Sequence, residues 1–414
     1  MTTQPPHQNA SVASQNSRPL PGEGGRGVGQ PVAIVGGGAA GLALALALHK
    51  HGIAAEIFDA AAPGTGLADK RILALSHGSV QSLQWLGVWE GLQAQSAPIT
   101  TIHISQQGGL GRTRISAAEQ GVPALGQVCP AAALVAALGK AVVARGIALH
   151  HGQLVSEAVA SAESVRFLAD GQEHHTPLLA YGEGAVEDGP HLRQRDYGQH
   201  AITCTATLTQ PHRGCAWERF TAHGPVALLP VKEGSDPRSS VAVVYTCPAA
   251  EAEALQALPD AAFITQLEAQ FHGRLKIASV TPRFRFPLGL RYRDTTVGQR
   301  QVWLGNAAQT LHPVAGQGYN LALRDIRDLA RSLAQGRDQG LALGDAATLA
   351  HYSERRRLDR RSTIGFTDGL VRLFSNDNPA LHHARGAGLL ALDLLPPLRR
   401  FVANRMMFGA RAFP

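Results

Sequence analysis

A chain of 414 residues with 44% hydrophobic content is long enough for two or three domains and a sizeable core. Its net charge of +7 would suit an anionic partner, but aromatics at 5% argue against a stacking platform for single strands, and no nucleic-acid partner is expected. The four cysteines, Cys129, Cys204, Cys215 and Cys247, are scattered without a CxxC pair, which points to neither a zinc site nor a disulfide framework and fits a reducing cytoplasm.

Residues 1–30 are rich in Gln, Ser, Pro and Gly, lack an apolar h-region, and read as a disordered leader rather than a signal peptide. The stretch Pro31 to Leu48 carries no charge and just reaches the length of a membrane span, yet Gly36 to Gly38 fit a tight turn better than a lipid-exposed helix. Val32 to Val35 reads as a buried strand stopping at glycine. "LALALAL", Leu42 to Leu48, alternates like a strand, but Ala and Leu are strong helix formers, and the pattern suits a helix buried all round. His49, Lys50 and Gly52 supply its stop signal, and Ala55 to Phe58, ended by Asp59, is the second strand of a βαβ unit.

Further along, Ala131 to Arg145 is helical in pattern, and Val165 to Leu168 followed by Asp170-Gly171 opens a hairpin. Short apolar runs from Ala201 to Thr246, including "GPVALLPV", fit an antiparallel sheet in a second domain inserted into the first. "RFRFPLGL", 283–290, adds a strand before the chain returns to the first domain. Ile326, Leu329, Ala330 and Leu333 then keep helical spacing, with Gly336 at the stop position.

Two glycine-rich segments carry the chemistry. Gly36-x-Gly38-x-x-Gly41 follows a strand and opens a helix, and Asp59 stands where a ribose-binding acid should end the next strand, a dinucleotide fingerprint. Glycine lets the main chain approach a pyrophosphate, and helix-start N–H groups stabilise its charge. The other reading is a tight turn beneath a packed helix. The second segment, "GNAAQTLHPVAGQGYN" from Gly305 to Asn320, turns through Asn306 and delivers Asn320 as an apparent N-cap of the next helix. Unpaired N–H groups there suit a delocalised anion such as the N1–C2=O edge of a reduced flavin.

Together, "GGGAAG", "LGNAAQTLHPVAGQGYNLALRD" and "FTDGLVRLFSNDNP" resemble the flavin-dependent hydroxylases of ubiquinone biosynthesis, within the wider group of p-hydroxybenzoate hydroxylase-like FAD monooxygenases. The likeness runs from about Pro31 to Gly409. It implies an α/β fold: a Rossmann-type FAD-binding domain (31–150 and 291–340) interrupted by a mainly β substrate domain (151–290) that shares strands with it, then a helical C-terminal region (341–414). By position it implies that Gly36, Gly38 and Gly41 hold the FAD pyrophosphate, Asp59 its ribose, and Arg71 and Gln127 further parts of FAD. Without the resemblance Arg71 reads as a solvated arginine and Gln127 as a helix-end cap. Asn306 stands where most of the group has an aspartate on the ribityl chain, Pro313 is implied near the ring, and Gly316, Gly318, Tyr319 and Asn320 are implied to offer main chain to it.

Two departures stand out. Ala322 replaces a glycine that follows "GQG" in close relatives, and the group's "ADG" is here "YGEG", 181–184, with Glu183 for the aspartate and a shortened link to "RDYGQHA".

The activity implied is hydroxylation of a polyprenylated phenol of the 2-polyprenyl-6-methoxyphenol type, using NAD(P)H and O2 activated at C4a of the flavin. Other ubiquinone-synthesis proteins are implied as partners. The residues needed position the ring, exclude water and stabilise charge; no metal is expected, since His174-His175 lacks partner ligands. His312 reads as structural more readily than as a base, and the group that ionises the phenol is not legible. A polyprenyl tail implies a cytoplasmic protein that meets the inner face of the membrane. "ERRRLDRR", 354–361, and 388–410 combine arginines with Leu, Phe and Met, and read equally as a lipid-facing surface or as charged helices packed on the core. Pro396-Pro397 breaks the second run. The competing readings are a hydroxylase of a soluble aromatic and a scaffold subunit without turnover.

Overall fold

The structure, a computed structural model, describes residues 29–109, 111–183, 186, 191–233, 236–375 and 378–410. All but two residues of the expected leader, and Gly184 of "YGEG", lie outside them.

The chain opens with the expected βαβ unit: β1 (Val32–Val35), α1 (Ala39–Lys50) and β2 (Ala55–Asp59). Helix α1 is buried from Ala40 to Leu48, so the uncharged stretch fills the core and spans nothing. Each fully buried leucine there contributes about 1.5–3 kcal/mol. β1 lies at the middle of a six-stranded sheet ordered Val297–Gly298, Gln301–Trp303, Leu179–Tyr181, β1, β2, Ala148–His151, whose pairings are parallel except for the first. Helix Ala131–Ala144 packs beside α1, and a three-stranded meander, Val155–Thr176, covers the other face, with Phe167 edge-on to Phe58 at 5.3 Å.

A nine-stranded sheet forms the second layer system. Its order is Gln309–Thr310, Phe284–Arg293, β7 (Leu192–Leu208), β10 (Ser240–Pro248), β9 (Gly224–Pro230), β8 (Cys215–Thr221), β4 (Thr101–Gln106) and Arg112–Ser116, with Ile277–Val280 also pairing β7. One face packs on helices Ala249–Ala257 and Asp260–Gln270 around Ile202, Cys204, Val226, Leu228 and Phe263. The opposite face looks towards a small sheet of β3 (Ile72–Ser76), β5 (Gly126–Pro130) and Ala97–Ile99. Strand Leu179–Tyr181 is β6 in this numbering.

The C-terminal third is helical: α2 (Gln317–Asp338), α3 (Ala346–Phe374), α4 (Pro379–Leu394) and α5 (Pro396–Phe408). Asp345 caps α3 by accepting from the N–H groups of Ala347 and Thr348. Two expectations need correcting. Gly336 does not end α2, which runs to Asp338; a Cβ there would collide with Thr348, so the glycine permits close packing of α2 on α3. In "ERRRLDRR", Arg356 and Arg360 are buried: Arg356 pairs with Asp325, Asp328 and Asp359, and Arg360 donates to Gln309 and to the Arg293 and Ala308 carbonyls. Arg356 and Arg360 thus clamp α3 to α2 and the large sheet from inside, while Glu354, Arg357, Leu358 and Arg361 of the same run stay exposed.

Candidate active site

The first glycine turn leaves β1 through Gly36, whose φ of +100° favours glycine. A Cβ on Gly41 would collide with the Gly36 carbonyl oxygen, so only glycine lets α1 start this close to the turn. Asp59 folds back from the end of β2 until its Oδ2 lies 2.6 Å from where a Gly37 Cβ would stand. Glu183, just after β6, lies against Gly36 and Gly38, and its carboxylate accepts a hydrogen bond from the Gly38 N–H. Burial first, then the nearby Asp59 charge, raises the Glu183 pKa above the ordinary glutamate value. Arg71 pairs with Asp69 at 2.6 Å and is close enough for its charge to act on Glu183. Gly36, Gly38, Gly41, Asp59, Glu183 and Arg71 therefore form one group around the start of α1.

The second segment lies beside it. A short 3-10 turn, Gly305–Ala307, follows the strand Gln301–Trp303, and a Cβ on Gly305 would sit 3.1 Å from the Ala40 Cβ. Helix α2 begins at Gln317, with Gly316 in the left-handed region as its N-cap. Asn320 is thus inside the first turn of the helix and is not its cap. Its side chain staples α2 to β3, accepting from the Ser76 N–H at 2.8 Å and donating to the Ala74 carbonyl at 2.9 Å and the Gly316 carbonyl at 2.7 Å. Ala322 is buried within the helix, where a Cβ causes no strain. Tyr319 donates from its hydroxyl to the Ala39 carbonyl at the start of α1.

Strand β3 joins the two groups. Arg71 immediately precedes it, Leu75 pairs with Gln127 of β5, and Gly316 packs on Ala74. Asn306, Pro313 and Gly318 keep exposed surface along this edge, while Gln127 and Tyr319 are half-buried. The donor set fits a long dianionic cofactor: main-chain N–H groups at one helix start, an acid over the same turn, and a second glycine-bounded helix start alongside. Glu183 is the one departure, since it brings a carboxylate to the turn that a pyrophosphate would use.

Beyond the second segment, His312 is buried; its Nδ1 accepts from the Val314 N–H at 3.1 Å, and its Nε2 finds no partner among the described residues. Burial lowers its pKa to about 4, so it is neutral and serves to hold the turn. It lies edge-on to Tyr197, whose hydroxyl donates to Asp368 at 3.0 Å. Val314, Phe220, Val371, Phe374 and Leu389 make an apolar cluster that leads from this loop towards the C-terminal helices. No group of metal-ligating side chains is found among the described residues. Sequence reasoning missed Tyr197 and Glu218, both on strands of the large sheet. "AWERF" held a signal for the latter: alternation puts Glu218 on the same face as Ala216 and Phe220, an acid on an apolar face.

The family model described as FAD binding domain matches residues 30–177 and 193–366. A ubiquinone hydroxylase, UbiL, of Rhodospirillum rubrum is 33% identical, covering 91% of this chain and 89% of that protein. The 3-demethoxyubiquinol 3-hydroxylase of Escherichia coli is 30% identical, with 89% of this chain and 96% of that one covered. Among solved structures, p-nitrophenol 4-monooxygenase PnpA of Pseudomonas putida superposes with a TM-score of 0.72 at 14% identity, covering 92% and 99% of the two chains. A Klebsiella pneumoniae HpxO variant complexed with FAD gives 0.68 at 17%, covering 92% and 100%. These two likenesses are of fold.

Proposed function

The chain belongs to the FAD binding domain family, and from that premise we propose that it is an FAD-dependent monooxygenase that hydroxylates a phenol ring in ubiquinone synthesis, with NAD(P)H and O2 as co-substrates. The observation that carries the reading is the meeting of two helix starts, joined by the Tyr319–Ala39 hydrogen bond and the Gly305–Ala40 packing. Bound FAD, reduced by NAD(P)H and reacting with O2, supplies the oxygen atom that enters the ring. Gly36, Gly38 and Gly41 would let the main chain at the start of α1 approach the pyrophosphate, with Asp59 on the ribose and Arg71 offsetting the charge of Glu183 and the phosphates. Asn306 would hold the ribityl chain. Gln127, Pro313, Gly316, Gly318, Tyr319 and Asn320 would border the ring and set its distance from the large sheet.

We take the substrate to be a polyprenylated phenol. The relatives named above support this. No helix among the described residues is long and apolar enough to cross a membrane. Leu390, Leu394, Leu395, Leu398 and Phe401 are exposed along α4 and α5 near the exposed Arg400, a combination suited to resting on anionic lipid where a tailed substrate would be met.

The deciding experiment is to purify the protein, record its flavin absorbance, and add NADPH without oxygen. Bound FAD that bleaches, followed by hydroxylation of a prenylated methoxyphenol in air, is the expected result. Absence of flavin uptake would sink the reading and favour a scaffold role; turnover of tail-less phenols alone would favour a soluble substrate.

A further inference from the structure

Strand register places one acid on the face of the large sheet that looks towards β5 and the loop after His312. Glu218 pairs with Ile104 of β4 and Ala227 of β9, and Ala227 pairs in turn with Val244 of β10, so these side chains share one face. On the same face, Ala216 enters the cluster containing Val128, next to Gln127, and Phe220 enters the cluster containing Val314, next to Pro313. Glu218 thus stands between the two segments assigned to the flavin ring. It is enclosed by protein yet keeps solvent-accessible surface, which is how a side chain lining an internal gap behaves. No hydrogen bond or ion pair from another described residue reaches its carboxylate, which leaves it open to a donor from a ligand.

Resting on the functional reading above, we infer that the Glu218 carboxylate binds the phenolic O–H of the substrate and takes its proton. The O–H bond breaks, the proton passes to a Glu218 Oε, and the electron pair stays on the phenolate oxygen, enriching the ring where oxygen enters. The proton returns to solvent after product leaves. A carboxylate here also selects a neutral phenol and repels a ring that carries its own carboxylate.

Competing bases are weaker. Burial lifts the Glu218 pKa to about 7 and drops that of His312 to about 4, roughly a thousandfold difference in proton affinity. The Tyr197 hydroxyl is engaged by Asp368, and burial pushes its pKa up. Of the other titratable groups nearby, His103 and Arg219 point to the opposite face, His382 bonds Gln106, and Arg195 and Arg372 pair with Asp368. None contributes to the Glu218 shift.

The test uses FAD-loaded wild type, Glu218→Gln and Glu218→Asp. Wild-type kcat on a short-chain prenylated methoxyphenol should rise with pH through a midpoint near 7. Glu218→Gln should keep its flavin, lose about 100-fold or more in kcat, and lose the rise, whereas Glu218→Asp keeps it. Independently of turnover, the phenolate band of bound 4-nitrophenol should appear about one pH unit or more lower in Glu218→Gln, because a second negative charge beside the carboxylate is disfavoured. A flavin-loaded Glu218→Gln enzyme with wild-type kcat and an unchanged nitrophenol titration would overturn the inference alone. A wild-type protein that takes up no flavin would overturn the functional reading and this inference with it.

Discussion

The Tyr319 hydroxyl donates a 3.1 Å hydrogen bond to the Ala39 carbonyl, tying the first turn of α2 to the first turn of α1 across 280 residues of sequence. Both helix starts are thereby fixed relative to each other before any ligand arrives. Tyr319→Phe should cost about 1 kcal/mol of stability, the usual worth of one such bond, and raise the FAD dissociation constant several-fold. Thermal denaturation and a flavin-fluorescence titration read the two effects; unchanged affinity would mean the tie is structural only.

Glu183 gives cofactor binding a pH dependence of defined sign. Its raised pKa means that it protonates above the ordinary glutamate range, and protonation removes a negative charge from the turn. FAD affinity should therefore strengthen as pH falls through that raised value and weaken as pH rises. Glu183→Gln should bind FAD about tenfold more tightly at neutral pH and show a flat profile. Weaker binding by the variant would show that the carboxylate assists the cofactor.

Asp359 holds three partners at once: Arg324 at 2.8 Å, Arg356, and the Ala410 N–H at 2.7 Å. Its pKa is lowered to about 2 by Arg324 and Arg356 and by the Ala410 N–H, despite the burial that opposes them. The folded value lies below the unfolded one of about 3.9, so this contribution is complete above pH 4 and disappears as pH falls through 2. Asp359→Asn leaves Arg324 without its carboxylate and Arg356 with only Asp325 and Asp328, and should cost about 3–5 kcal/mol at pH 7. Between pH 4 and 2 its stability should fall less steeply than that of the wild type, which chemical denaturation at stepped pH would reveal.

Gly336 faces Thr348 where α2 packs on α3. Gly336→Ala gains helix propensity but overpacks this contact, and a net loss of about 1–3 kcal/mol is expected. Adding Thr348→Ala should restore part of it, a coupling that a double-mutant cycle measures directly.

On α4 and α5 the exposed Leu394 and Phe401 can be changed without touching the core. Leu394→Glu with Phe401→Glu should reduce co-sedimentation with anionic vesicles while leaving flavin content intact. Equal sedimentation of both proteins would remove the lipid-surface reading.

The βαβ unit was legible because its signals are local: a β-branched run, glycines at fixed spacing, an apolar helix and an acid ending the next strand. Asn320 misled because an Asn before an apolar helical pattern resembles a cap, whereas the helix starts at Gln317 behind a left-handed Gly316 and the amide is spent on β3. The pairing of Arg355 and Arg356 was hidden because their carboxylate partners Asp325 and Asp328 lie on a helix about thirty residues earlier. Glu218 was obscured for a similar reason: its meaning depends on Ile104 and Ala227 beside it, and only strand pairing brings those together.

The parallel pairing of Thr101–Gln106 with Cys215–Thr221 also sets a timetable for biosynthesis. One side of the earlier strand meets its hairpin neighbour Arg112–Ser116 at once. The other side waits while on the order of a hundred further residues leave the ribosome, roughly 5–20 s at ordinary translation speeds. Through that interval a nascent chain displays an unzipped backbone edge, and an N-terminal fragment that ends before Cys215 would keep that edge unpaired.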